Sequence, residues 1–190
     1  MESLAVSELY REWELWDACY DGDDDVVKNI LEGGMVDLRL YTANEFGGAT
    51  ALHMACAFKR PSIIPLLAKH RSCTSAVLNK RDEDGYTPLM LAVFFHDLES
   101  VEELGKLEGI NFRTVNNVGE TLLDVARLSL YYVNDDDDEV VKYLLEKQKR
   151  ETLEEKAAYH VAAHISNVED VEKLEIPLTL FSLVQKFLEF

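Results

Sequence analysis

Four short stretches of this chain repeat one another, and that self-similarity constrains the fold more than any single residue does. They are Leu15-Trp16-Asp17-Ala18, Thr50-Ala51-Leu52-His53-Met54-Ala55, Thr87-Pro88-Leu89-Met90-Leu91-Ala92 and Thr121-Leu122-Leu123-Asp124-Val125-Ala126. Their alanines lie 37, 37 and 34 residues apart. A period in the thirties around a Thr-Pro-Leu-x-x-Ala kernel predicts stacked helical pairs, since one pair alone cannot bury its apolar face. A stack of this kind offers a surface that grips a partner, not a pocket for chemistry.

The local grammar supports the same reading. In the third unit Asp82-Glu83-Asp84-Gly85-Tyr86 is a turn sequence, with Gly85 free to take a backbone conformation closed to other residues. Thr87 stands where a helix begins, and Pro88 follows at the first helical position, where its missing N–H costs nothing. Val101, Leu104 and Leu107 give a second helix, and Gly109-Ile110-Asn111 ends it. Unit two repeats the scheme with Gly47-Gly48, Thr50 and then Ile63, Ile64, Leu66 and Leu67. Unit four does so with Gly119, Thr121 and then Val140, Val141, Leu144 and Leu145.

These motifs resemble the ankyrin-repeat family, which implies an all-α solenoid of about four helix-pair repeats over residues 1–150. The chain departs from the family pattern in places. The His of Thr-Pro-Leu-His is present only as His53, with Met90 and Asp124 at the equivalent positions. That His ties neighbouring hairpins together in the family, so units three and four are expected to use other contacts. The first unit lacks the cap motif. Its Leu9, Trp13, Trp16 and Tyr20 at helical spacing predict a broad apolar face on a terminal capping repeat. An insertion is expected after Ala92.

Charge narrows the partners. The formal net charge of −17 repels phosphates and anionic membrane surfaces, so nucleic acid and membrane are not expected partners. No run approaches the roughly 20 apolar residues of a membrane span. Glu2, Glu8, Arg11 and Glu12 interrupt any signal-peptide pattern. Cys19, Cys56 and Cys73 have no metal-ligand spacing; Cys19 and Cys56 each follow the repeat alanine and read as small core residues of a reducing compartment, cytoplasmic or nuclear.

Two groups invite a metal and are read otherwise. The acidic run 134–139, an inserted loop in unit four, lacks the spaced ligands and central glycine of a calcium loop. It reads as solvated, with its end capping the helix of Val140. His160 and His164 have the spacing of paired zinc ligands, but Val161 stands where a zinc protease carries glutamate. No phosphate loop or nucleophile elbow is present, so neither an enzyme nor a cofactor or metal is expected.

Beyond residue 150 the pattern changes. Lys147-Gln148-Lys149-Arg150 reads as a hinge, and Thr152 with Glu155 as the capping box of a new helix. Leu174-Glu175-Ile176-Pro177 breaks the chain before a closing helix through Leu180, Leu183, Val184, Phe187 and Leu188. Residues 151–190 resemble a SOCS box, the segment that recruits elongin C. Thr152, Leu153 and Val161 match its recruiting element, with Ala157 at the family's cysteine position; Leu174 and Pro177 match the ends of its cullin-choosing element around Ile176, where Glu175 replaces a proline.

The resemblance as a whole is to the ankyrin-repeat SOCS-box proteins. It implies a substrate-recognition adaptor of a ubiquitin ligase that binds elongin B, elongin C and a cullin-5-type cullin. Thr152, Leu153, Ala157 and Val161 would meet elongin C, and Leu174, Ile176 and Pro177 the cullin. The unidentified protein target would lie against Met54, Phe58, Leu91, Phe94 and Phe95, for which core packing is the other reading. The alternative is a stand-alone ankyrin scaffold or inhibitor whose tail only caps the stack. An F-box-like tail is a third possibility.

Overall fold

The computed structural model describes residues 2–33, 36–39, 47–130 and 138–162. In chain order the helices are α1 (Glu2–Asp21), α2 (Asp24–Glu32), α3 (Ala51–Ala57), α4 (Ile63–Ala68), α5 (Ser75–Leu78), α6 (Pro88–Phe94), α7 (Leu98–Gly105), α8 (Leu122–Leu130) and α9 (Glu139–Ala162). No strand occurs among the described residues; a single antiparallel bridge joins Val115 to Thr121 in the last hairpin. The chain divides into two compact units, Met1–Val141 and Lys142–Phe190.

In the first of these, α1, α3, α6 and α8 lie side by side as an inner row, while α2, α4 and α7 form an outer row behind them. The repeated alanines, Ala18, Ala55, Ala92 and Ala126, are all buried. A methyl side chain at that point lets the rows approach closely. Around it the inner row contributes Leu15, Cys19, Leu52, Cys56, Leu89, Val93, Leu122 and Val125 to the core, and the outer row Val27, Ile63, Ile64, Leu67, Val101 and Leu104. Each large aliphatic side chain so buried stabilises the fold by about 1.5–3 kcal/mol relative to exposure.

Caps set where the helices begin. Asp23 accepts a 3.0 Å hydrogen bond from the Val26 N–H, and Asp24 and Asp25 follow in the first turn of α2, where the helix dipole favours carboxylates. Thr87 accepts from the Met90 N–H at 3.2 Å, with Pro88 at the first helical position. At α8 the Thr121 hydroxyl and N–H donate to Asp124 at 2.7 and 3.0 Å, and the Asp124 N–H returns to the hydroxyl at 3.3 Å. This is a capping box built with aspartate, which accounts for Asp124 in place of the repeat histidine. The bonds from Thr121 hold the Asp124 carboxyl below its ordinary pKa.

The inner helices of the first three units end alike. Four residues after the repeat alanine stand Gly22, Lys59 and His96, with φ of 81°, 55° and 52°. Unit three therefore turns on schedule, and the insertion expected after Ala92 does not exist there. The extra length between Ala55 and Ala92 is taken up after the outer helix by α5, a single turn whose Val77 and Leu78 are buried.

Two further expectations are corrected. Trp13 is exposed, whereas Leu15, Trp16 and Cys19 are buried, so α1 presents its core face one step round from the expected stripe. Thr152 begins no helix: it lies inside α9, and its hydroxyl donates to the Gln148 carbonyl four residues back at 2.8 Å. No glycine or proline occurs between Glu139 and Ala162, and the Lys147–Arg150 stretch consists of good helix formers, so nothing there breaks the helix. Asp138 starts it, accepting from the Val141 N–H at 2.9 Å.

Candidate target-binding face

The inner helices carry large apolar groups at their C-terminal ends, two and three residues past the repeat alanine. At the first of these positions stand Tyr20, Phe94 and Leu128, and at the second Phe58 and Phe95. They are 42%, 41%, 53%, 39% and 39% exposed. Tyr20 of unit one and Phe58 of unit two lie 4.3 Å apart between centroids, and within unit three Phe94 and Phe95 lie 5.1 Å apart edge to face. Tyr86, at the foot of the third hairpin, meets Phe94 edge to face at 6.3 Å. Aromatic pairs of this geometry add about 0.5–1.5 kcal/mol beyond their area. One pair joins units one and two and the others stiffen unit three, along a ridge of half-exposed apolar groups at the ends of the inner helices.

Of the residues expected to face a target, Phe58, Phe94 and Phe95 lie on this ridge. Leu91 is half-buried, and Met54 is 7% exposed and belongs to the core, because its position in α3 faces the packed side of the helix. Tyr20 and Leu128 were not among the expected residues. Aligning the units on their alanines finds both.

A chain of hairpin contacts holds the ridge in register. The Glu83 N–H donates to the Gly47 carbonyl at 2.7 Å, and the Asn117 N–H to the Asp84 carbonyl at 3.1 Å. Asn117 also donates its amide to the Glu83 carbonyl at 2.6 Å and accepts from Arg81 at 2.9 Å. Asn79 bridges outward, donating to the Gly109 carbonyl at 2.6 Å and accepting from the Asn111 N–H at 2.7 Å. The first of these joins units two and three, and the Asn117 and Asn79 bonds join unit three to unit four, where Met90 stands in place of the repeat histidine.

His53 performs the family role in unit two. The Thr50 N–H reaches its Nδ1 at 3.1 Å and the Thr50 hydroxyl lies 2.8 Å from the same nitrogen. Nδ1 is thus the acceptor, which leaves Nε2–H to donate to the Tyr86 carbonyl of the next unit at 3.2 Å. The ring is fully buried, and burial pushes its pKa down from 6.5 to about 4. In the unfolded chain it gains a proton near pH 6.5, but in the fold it resists until about pH 4. Between those values the unfolded state binds more protons, so stability is complete above pH 6.5 and falls as the pH falls toward 4. The loss from this group is roughly 3 kcal/mol. Urea midpoints at pH 7.5 and 4.5 measure it, and a His53→Asn chain should lose less over the same interval.

His96, Ser129 and Asp138 have the composition of a nucleophilic triad. His96 Nε2 is 2.6 Å from Ser129 Oγ, and Nδ1 is 2.8 Å from Asp138 Oδ2, at ion-pair distance but off hydrogen-bond alignment. The Ser129 hydroxyl, however, donates to its own helix, to the Val125 and Ala126 carbonyls at 3.0 and 2.9 Å. Its proton is committed there, so the imidazole donates to the serine instead of activating it. This is a tie between units, not a catalytic group.

The buried thiols of Cys19 and Cys56 are equally inert. Burial raises Cys19 to about 12 and, with Asp97 and Cys19 adding to it, puts Cys56 well above its ordinary value. Among the described residues no group of three or more candidate ligands could hold a metal, and no helix is long and apolar enough to cross a membrane. A crevice between Leu38, Ala51, Leu52, Leu67, Cys73 and Val77 is lined by apolar groups and offers no polar anchor for a ligand. Residues 134–137 of the acidic run lie outside the described residues, as do His164, Leu174, Ile176 and Pro177. Leu153, Ala157, His160 and Val161 lie along α9.

Residues 15–116 match the family profile described as ankyrin repeats (3 copies). The match covers more than half of the chain, and the chain belongs to the ankyrin-repeat family. It is also 32% identical over 124 residues to Rabankyrin-5 of Homo sapiens, across 65% of this chain and 10% of that protein. The chain thus spans about a tenth of the length of this relative. Ankyrin repeats are protein-interaction scaffolds and generally non-enzymatic, and no catalytic family is indicated.

Proposed function

We propose that this chain is a protein-interaction scaffold that grips a protein target through the ridge of Tyr20, Phe58, Phe94, Phe95 and Leu128. The observation that carries this is the recurrence of half-exposed apolar groups two or three residues past the repeat alanine in each of the four units, on helices whose core-facing residues are buried. Contiguous exposed apolar surface on a well-packed stack is the mark of a contact site. Aromatic anchors are the side chains that contribute most at such sites. A photo-crosslinking residue at position 94 should capture the target from cells. The same residue at exposed Glu102, on the outer helix α7, should not.

A second reading makes the scaffold a ubiquitin-ligase adaptor, with residues 151–190 recruiting elongin B and C and a cullin-5-type cullin. Its support is that Thr152, Leu153, Ala157 and Val161 all fall within one continuous helix, at the spacing of the elongin-binding element they resemble. Leu153 would be the main anchor, since truncating a central interface side chain costs about 2 kcal/mol or more. Co-expression with elongin B and C decides it. A stoichiometric complex lost in Leu153→Asp supports the adaptor; a folded chain that binds neither protein leaves the scaffold alone.

A further inference from the structure

We propose that His96 is a clasp that couples the end of α6 to both α8 and the start of α9, doing for units three and four what His53 does for units two and three. The third unit has Met90 where the second has His53, so no imidazole reaches from its cap to the next hairpin. His96 supplies one from the other end of the same helix. Its Nε2 meets Ser129 Oγ at 2.6 Å, 33 residues on, the same separation in sequence as His53 and Tyr86. Its Nδ1 lies 2.8 Å from Asp138 Oδ2, whose other oxygen caps α9 through the Val141 N–H. Ser129 is itself anchored to α8 by two carbonyls. One partly buried ring thus meets two helices besides its own.

The backbone points the same way. His96 sits at φ 52°, in the turn position that unit one fills with Gly22. A side chain there is strained, and glycine would relieve it. If the imidazole did nothing, His96→Gly would tighten the fold. As a clasp, its removal loosens α8 and the first turn of α9 together. Phe94 and Phe95 directly precede His96, and Leu128 directly precedes Ser129. The clasp therefore also sets the spacing of three of the five ridge residues, a consequence that rests on the ridge being the contact face.

Amide hydrogen exchange on the full chain tests this. In His96→Gly the amides of Leu128, Ser129 and Val141 should exchange roughly tenfold faster, the equivalent of about 1.4 kcal/mol. Asp138→Ser keeps a good helix cap and is too short to reach His96. It should speed exchange at Val141 and, through His96, at Leu128 and Ser129 as well. Unchanged or slower exchange in His96→Gly would overturn the proposal. So would an Asp138→Ser effect confined to Val141. Should His96→Gly unfold, the Asp138→Ser pattern decides alone.

Discussion

His53→Ala should destabilise the stack by about 3–5 kcal/mol, the range for emptying a large buried site and stranding its partners. The ring is fully buried, and its loss leaves the Thr50 N–H, the Thr50 hydroxyl and the Tyr86 carbonyl without the partner they share. The damage crosses units, because Tyr86 belongs to the next hairpin and packs against Phe94 on the ridge. Urea denaturation at pH 7.5 measures it. The variant should also lose most of the acid sensitivity that His53 confers, since the group that resists protonation in the fold is gone. A loss under about 1 kcal/mol would mean that the hairpin contacts alone hold units two and three together.

Gly85→Ala should cost about 2–4 kcal/mol, combining left-handed strain with overpacking. Gly85 has φ 84°, and a Cβ there would lie 2.5 Å from Arg81 Nη2 and Asn117 Oδ1, and 2.6 Å from the Asn117 backbone nitrogen. A side chain can swing away, but the backbone of the neighbouring hairpin cannot move without losing the Asn117 N–H bond to Asp84. Gly119 provides the control. Its φ is 88°, yet a Cβ would meet nothing within 4 Å. Gly119→Ala should therefore show the strain alone, about 1 kcal/mol. Comparing the two urea midpoints separates conformational strain from the jamming of unit three against unit four. Equal losses would show that the hairpins do not depend on that close approach.

Most of the stack was legible because its signals are local and recur. The Thr caps, Pro88, the glycine turns and the apolar spacing are set within a few residues, and each recurrence reinforces the others. Less legible were features that depend on what a residue faces. Met54 and Phe58 are both apolar and four residues apart, but only packing against the adjacent unit separates a core residue from a ridge residue. The turn after Ala92 was hidden because the glycine of unit one is replaced there by a histidine with the same backbone sense. Thr152 and Glu155 carry the local pattern of a helix start, which means nothing when the residues before them are already helical. The clasp of His96 was hidden because Ser129 and Asp138 come from separate helices.

The most direct measurement is quantitative capture of cellular partners by the full chain, the double variant Phe58→Asp and Phe94→Asp, and an outer-helix control, Glu102→Lys. Both ridge positions are about 40% exposed, so a charge there leaves the core intact, which circular dichroism and urea midpoints verify. If the ridge is the grip, partners held by the parent and by the control are lost from the double variant. A folded double variant that retains the same partners would contradict the ridge as the binding face.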